Sequence, residues 1–413
     1  YKYHVAGEEA EYAHEILIFD IKSKDIRKVQ IDSIKQKTIS YISGINIYSK
    51  RTKPSSYDDE FRPTLLLSDK GKIYFNITSR DRKKMDVCRA DINTGEVEVL
   101  IEERMNTYIE TRPLYLIKNE TEMIHWSEKD GWAHFYRHDI NGNLLNRITS
   151  GPFHSDNIKY YDQKSNFLFF SAHGVNKEID PYYEHTYKIS LNGGVPKLLN
   201  KGDFNTMTYP SDNHKFFVNN FSRVNTTPKS NLINSDGSVI MNLETADLSA
   251  LFESGYKFPE TFKAKADDGI TDLYGVIYKP FDFDENKKYP LLEYVYPGPQ
   301  TESVNKSFSV RMDRLDRMAQ LGFIVITLGN RGGHPDRSKW YHNYGYGNLR
   351  DYGLADKKYV AQQLANRHDF IDINRVGIYG HSGGGFMSTA AILVYPDFFK
   401  VAYSQAGNHD NSI

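Results

Sequence analysis

Cysteine is nearly missing from this sequence. Cys88 is the one cysteine in 413 residues, so an internal disulfide is excluded and a disulfide-stapled secreted scaffold is disfavoured. A disulfide-free periplasmic domain stays compatible. An excess of charge is missing too: 52 basic residues face 53 acidic ones. That balance gives no electrostatic case for nucleic acid, whose binders usually present a basic face. No apolar run approaches the roughly 18 residues of a membrane span, and the stretch 323–328 is strand-sized. The chain starts at Tyr1 rather than Met, and nothing near it resembles a signal peptide. The expectation is a fragment cut at both ends, with any localisation signal outside it.

Aromatic residues, by contrast, are abundant, with 30 Tyr and 23 Phe. Together with many β-branched residues they suit strand-rich structure. The length suits two or three domains. Up to about Lys257 the pattern is short strands broken by polar turns. Residues 73–78, 123–127, 167–172 and 216–220 each open a similar unit with an apolar or aromatic strand. The first three units close through Asn93-Thr94-Gly95, Asn141-Gly142-Asn143 and Asn192-Gly193-Gly194, each followed by another strand. The openings recur about every 45 to 50 residues, the length of a four-stranded propeller blade. One such sheet cannot bury its inner face alone, whereas radially packed blades can. A partial β-propeller over residues 1–257, with room for about five blades, is therefore expected. A β-sandwich with irregular loops is the alternative.

After Lys257 the rhythm changes. Residues 262–266 and 273–279 read as strands joined by the turn Asp267-Asp268-Gly269. Strands then follow at 291–296, 323–328, 375–379 and 400–404, with helices at 308–321, 352–366 and 386–394. Alternating strands and helices imply a parallel sheet covered on both faces, with ligands at the carboxyl ends of the strands. Residues 258–413 are thus expected to form a partial, doubly wound α/β-hydrolase sheet.

The chemistry concentrates in Gly380-His381-Ser382-Gly383-Gly384-Gly385. This Gly-x-Ser-x-Gly run joins an expected buried strand to an expected helix. Such a junction holds a serine on a strained turn with its Oγ above the sheet. Gly380 and Gly384 flank it because a Cβ at either place would collide with a neighbouring element. The Gly383 N–H points at a developing oxyanion, and the helix N-terminus adds favourable partial charge. The competing reading is a mere packing turn. A second strand, 289–296, ends in Tyr296-Pro297-Gly298-Pro299, where the second oxyanion donor of this fold arises. The Tyr296 hydroxyl is that candidate. Losing such a donor typically costs about a hundredfold or more in rate. The alternative is that Tyr296 is only an aromatic strand end.

These residues, with Trp126-Ser127-Glu128-Lys129-Asp130-Gly131-Trp132 and Asn330-Arg331-Gly332-Gly333, resemble the prolyl oligopeptidase family, most closely its dipeptidyl peptidase IV branch. The resemblance covers nearly the whole chain. It implies a propeller that caps an α/β-hydrolase domain and admits only short peptides or unfolded segments. It implies Ser382 as nucleophile, with Tyr296 and the Gly383 N–H as oxyanion hole, in a serine peptidase that releases N-terminal dipeptides with Xaa-Pro or Xaa-Ala preference. No cofactor or metal is implied. A periplasmic or extracellular location is implied, as is a homodimer of the full-length protein through segments that include its C-terminal part. Two departures stand out: dipeptidyl peptidases usually carry an aromatic residue where this chain has Gly383, and the cysteines of the animal enzymes are nearly absent, as in a bacterial relative.

In this fold the triad runs Ser, then Asp, then His, the last two well beyond the nucleophile. Only 31 residues follow Ser382. Asp397 reads as a surface turn, while Asp410 and His409 come too early. His381 is turned away from Oγ by the elbow. The triad Asp and His are therefore expected outside this chain, which alone is expected to be inactive. Glu8-Glu9 does not match the family's amine-binding acidic pair, expected upstream of Tyr1. His134 and His138 fall on a strand at two-residue steps, not on the helix of a zinc-hydrolase motif, and read as solvated or hydrogen-bonded strand histidines. Asn330 to Gly333 lacks the following helix of a phosphate cradle. The other functions left open are an esterase or endopeptidase on the same fold and a non-catalytic propeller binding protein.

Overall fold

A computed structural model describes residues 15–31, 66–79, 81–309, 315–349 and 351–409. Glu8-Glu9, Asp410 and most of the expected first blade lie outside these. By compactness the chain divides into two units. One comprises Tyr1–Gly151, Tyr161–Leu168 and Ile189–Pro196, the other Pro152–Tyr160, Phe169–Lys188 and Lys197–Ile413. Among the described residues no helix is long and apolar enough to cross a membrane.

The first unit holds two four-stranded antiparallel meanders. Leu66–Leu67, Lys72–Thr78, Lys84–Asp91 and Val97–Arg104 pair in chain order, as do Tyr115–Ile117, Glu122–Ser127, His134–Asp139 and Leu144–Arg147. The second strand of each is buried after its first residue. Alternation sends Ile73, Phe75 and Ile77 into one apolar cluster with Cys88 and Ala90, and Tyr74 into another with Met85 and Val87. A sheet buried on both faces gives an unbroken apolar strand, which explains what the sequence disclosed. The strands expected to open each unit are in fact its second strands. The true opening strands are shorter or more polar and carry no such run.

Two more meanders follow. One is His154–Asp162, Phe167–His173, Glu184–Ser190 and Lys197–Leu198; the other is Asn205–Pro210, Phe216–Ser222, Lys229–Asn234 and Val239–Thr245. Packing in the second unit is partly polar. Buried Asn200 accepts from the Thr186 N–H and donates to Thr206, Thr208 and Asn219 at 2.8–3.1 Å.

The last sheet has six strands in the order Glu260–Lys265, Asp272–Tyr278, Ile324–Leu328, Tyr289–Tyr294, Ile371–His381, Phe399–Gln405. The last four are parallel and the first two antiparallel. The expected parallel sheet is therefore mixed, because a tight turn such as Asp267-Asp268-Gly269 can join only antiparallel strands. Helices cover both faces. Leu354, Val360, Ala361 and Leu364 of Leu354–Arg367, with Met387, Ala390 and Ala391 of Gly383–Val394, pack on Ile277, Leu291, Ile324 and Ile326. Leu315 and Ala319 of Leu315–Ala319 pack on Val276, Leu292 and Val325. Of the helix expected at 308–321, only this turn and a half is described as helical.

Candidate active site

Ile371–His381 runs parallel between Tyr289–Tyr294 and Phe399–Gln405 and delivers the chain to Ser382, from which Gly383–Val394 departs. Ser382 has φ 54° and ψ −118°. A non-glycine residue held there stores on the order of 1–3 kcal/mol, and such strain collects at functional sites. Its backbone is pinned at both ends: the N–H donates to Gln405 O at 2.8 Å, and the carbonyl accepts from Phe386 N–H at 3.0 Å.

The flanking glycines follow from close approach. A Cβ on Gly380 would stand 2.4 Å from Val295 O, and one on Gly384 only 2.1 Å from the same oxygen. Gly383 differs. A Cβ there would meet nothing nearer than Pro297 O at 3.8 Å, so this position is open to a side chain. Its N–H, the first of the helix, has no backbone acceptor among the hydrogen bonds of the described residues.

Two cavities flank the elbow. One of about 680 Å³ is lined by Pro297, Gly298, Leu349, Gly383, Phe386 and Asn408. The other, of about 690 Å³, lies against Tyr294, Tyr379, Gly380, His381 and Tyr403. His381 and Gly383, the two neighbours of Ser382, thus face different spaces.

Tyr296 follows the end of Tyr289–Tyr294 and is half-buried. Its Cα lies 3.4 Å from the position of a Cβ on Gly384, so its backbone packs on the elbow. The turn after it is braced from several sides. Pro299 O accepts from His342 Nε2 at 2.6 Å, and Gly298 O accepts from the Tyr352 hydroxyl at 3.3 Å. A Cβ on Gly298 would stand 2.2 Å from Gly333 O.

Asn330-Arg331-Gly332-Gly333 serves this bracing. Asp356, fully buried, accepts from the N–H of Asp267 and of Arg331 and from the Arg331 guanidinium at 2.7–3.1 Å. Gly329 and Gly333 lack side chains because buried Glu302 lies against them: a Cβ would come within 2.2 Å and 2.8 Å of it. Glu302 accepts from the Tyr182 and Tyr341 hydroxyls at 2.8 and 2.5 Å. Burial, with the Glu302 carboxylate beside them, pushes both phenols well above the usual tyrosine range. Asp356, Glu302, Tyr182 and Tyr341 escaped sequence reasoning, since their partners are far away in the chain. The glycines at 329, 332 and 333 were the available signal of close packing.

The other singled-out residues are placed as follows. Asp397 is exposed in a turn, its carbonyl 2.5 Å from Lys400 Nζ. His409 Nε2 is 3.4 Å from Ser404 Oγ, and His381 is exposed. Among the described residues no histidine hydrogen-bonds Ser382. His134 contacts Thr149 Oγ1 and Gly151 O, and His138 contacts Gly142 O, at 2.9–3.1 Å. Burial lowers both imidazoles to about 4, so they are neutral hydrogen-bonded groups. Trp126 to Trp132 is the hairpin between Glu122–Ser127 and His134–Asp139, where Asp130 accepts from the Tyr136 hydroxyl at 2.7 Å.

Residues 1–228 match the family model of the dipeptidyl peptidase IV (DPP IV) N-terminal region, and residues 308–413 match that of the prolyl oligopeptidase family. The chain belongs to the prolyl oligopeptidase family, in its dipeptidyl peptidase IV branch. Members similar to it include dipeptidyl peptidase 8 of Homo sapiens, 40% identical over 152 residues, which are 37% of this chain and 17% of that protein. The Mus musculus protein of the same name is 39% identical over equal shares. Among solved structures, Porphyromonas gingivalis dipeptidyl peptidase 4 superposes with a TM-score of 0.78 at 21% identity, over 95% of this chain and 52% of that one. The chain thus spans about half of that structure and 17% of the curated relatives named. At this identity the superposition speaks for a prolyl oligopeptidase-family fold alone.

Proposed function

We propose that this chain carries the nucleophile of a serine peptidase that releases dipeptides from peptide N-termini. The observation that carries the reading is Ser382, held at φ 54° between a parallel strand and a helix in a chain of this family. Ser382 Oγ attacks the scissile carbonyl, and its proton passes to a histidine of the full-length protein. The Gly383 N–H and the Tyr296 hydroxyl hold the tetrahedral oxyanion. The amine leaves, and water then releases the dipeptide from the acyl-serine. The unused Gly383 N–H and the cavity beside it support this assignment. The names of the relatives support the dipeptidyl activity, and a preference for proline or alanine before the scissile bond rests on family resemblance.

The four meanders, the second strand of each of the first three buried along almost its whole length, support blades of a β-propeller over residues 1–257, preceding a hydrolase domain at 258–413. Such a propeller would admit short peptides and unfolded segments.

The test is hydrolysis of an alanyl-proline chromogenic substrate by the full-length product of the parent gene. Ser382→Ala is expected to lower kcat by on the order of 10⁴–10⁶-fold, and an amine-blocked analogue is expected to stay intact. The 413-residue chain by itself is expected to show no turnover, since no base among its described residues reaches Ser382. Wild-type activity that survives Ser382→Ala would refute the assignment.

A further inference from the structure

One end of the third meander gathers side chains that the peptidase reading does not use. Asp156 stands near the start of His154–Asp162, His173 ends the neighbouring Phe167–His173, and Glu184 begins Glu184–Ser190. Antiparallel pairing brings these three positions to the same edge. Their donor atoms all lie within 4.8 Å of one another. A further carboxylate joins them from the segment after Gly333, with Asp336 Oδ2 3.6 Å from His173 Nε2. His334 Nδ1 is 3.4 Å and His154 Nε2 3.9 Å from the Asp336 carboxylate.

The imidazole is already oriented. His173 is 7% exposed, and its Nδ1 lies 3.2 Å from Tyr182 O. A carbonyl can only accept, so Nδ1 carries the proton and Nε2 is the nitrogen that faces the carboxylates. Metal-binding histidines are commonly oriented this way, their second nitrogen donating to a backbone carbonyl. Two of the carboxylates already hold a polar partner. Lys159 Nζ stands 3.0 Å from Glu184 Oε1, and the Asn157 amide donates to Asp156 Oδ2. Two ligands of one ion, each at about 2.1 Å, stand roughly 3 to 4 Å apart, so small side-chain rotations would close the shell.

We propose that Asp156, His173 and Glu184, with Asp336 beside them, bind a divalent metal ion of the Mn²⁺ or Zn²⁺ type. The carboxylates suit Mn²⁺ and the imidazole suits Zn²⁺. The bound ion would tie the segment that follows Asn330 to Gly333, and with it the bracing of the Tyr296 turn, to the end of this sheet. Sequence spacing gave no hint of the site, because its residues come from three strands and a distant loop.

The probe is Mn²⁺ alone, added to the purified protein and followed by electron paramagnetic resonance. One bound ion per chain is expected, with the nitrogen modulation of a single imidazole, and Zn²⁺ should displace it because it stands above Mn²⁺ in affinity order. Asp156→Asn and Glu184→Gln, which keep shape, should each weaken binding at least tenfold. His173→Gln should remove the nitrogen signal, while Asp397→Asn, on an exposed turn, should change nothing. Should any of these variants fail to fold, the wild type decides: Mn²⁺ is expected to raise its thermal midpoint. No bound ion in the wild type, a midpoint unmoved by Mn²⁺, or binding undiminished in both carboxamide variants would overturn the proposal.

Discussion

Val239–Thr245 and Ile324–Leu328 read almost alike, as VIMNLET and IVITL. Every residue of the first is exposed and every residue of the second is buried. Val239–Thr245 is the outermost strand of its meander, as are the largely exposed Val97–Arg104 and Leu144–Arg147. Ile324–Leu328 lies between Asp272–Tyr278 and Tyr289–Tyr294, in a sheet with helices on both faces. The difference teaches that an apolar strand is buried by its place in the sheet and not by its composition. It also sets where one atom matters. At the elbow, a Cβ on Gly380 or Gly384 would meet Val295 O, whereas the side chains of Val239–Thr245 face solvent.

The harshest way to test that contrast is one methyl group. Gly384→Ala places a Cβ 2.1 Å from Val295 O, a backbone atom that cannot swing aside. A loss of about 3 kcal/mol or more is expected, seen as a lowered denaturant midpoint. Gly383→Ala, one residue earlier with open space ahead of it, should stay within about 0.5 kcal/mol. Equal losses from the two would remove close packing as the explanation.

A gentler probe is the buried carboxyl of Glu293, next to Ile378 and Ile326 in the sheet. Neither of its oxygens has a hydrogen-bond partner, and Lys357 Nζ lies 3.9 Å away. Burial pushes Glu293 up to about 7 and drives Lys357 down. A carboxyl raised on folding binds its proton more tightly in the folded state. Its contribution is complete below its ordinary value of 4.5 and is lost as pH rises toward 7. Between pH 4 and 8 the wild type should lose on the order of 2–3 kcal/mol relative to Glu293→Gln. Urea unfolding at both pH values reads this directly, and parallel pH profiles would show that the carboxyl is not raised.

The smallest effect belongs to the outer strand. Ile240→Thr, at a residue 51% exposed, is expected to shift stability by no more than about 0.5 kcal/mol. The same measurement checks it. A loss comparable to that of Gly384→Ala would mean that Val239–Thr245 is covered by something.

Legibility followed the same divide. The elbow could be read because Gly-x-Ser-x-Gly needs its residues at fixed spacing along one strand-turn-helix. The second strands of the first three meanders could be read because they are buried along almost their whole length, while Phe216–Ser222, only partly buried, was marked by its aromatic start. The first strands could not, since Leu66–Leu67 is two residues long and His154–Asp162 and Asn205–Pro210 are polar, whereas the closing strands Val97–Arg104, Leu144–Arg147 and Lys197–Leu198 were marked by the turns before them. The bracing by Glu302, Tyr182 and Tyr341 was hidden by distance, with Tyr182 and Tyr341 separated by 159 positions.

The sequence by itself determined the serine elbow, the recurring strand units, the change of pattern near Lys257 and the family. Each of these is a local pattern that backbone geometry enforces within a few dozen residues. Tertiary structure alone decided which apolar strands are buried, why Asn330 to Gly333 carries its glycines, and which carboxylates converge on His173. Those outcomes depend on atoms brought within a few ångströms across long stretches of chain, and no local pattern records such proximity.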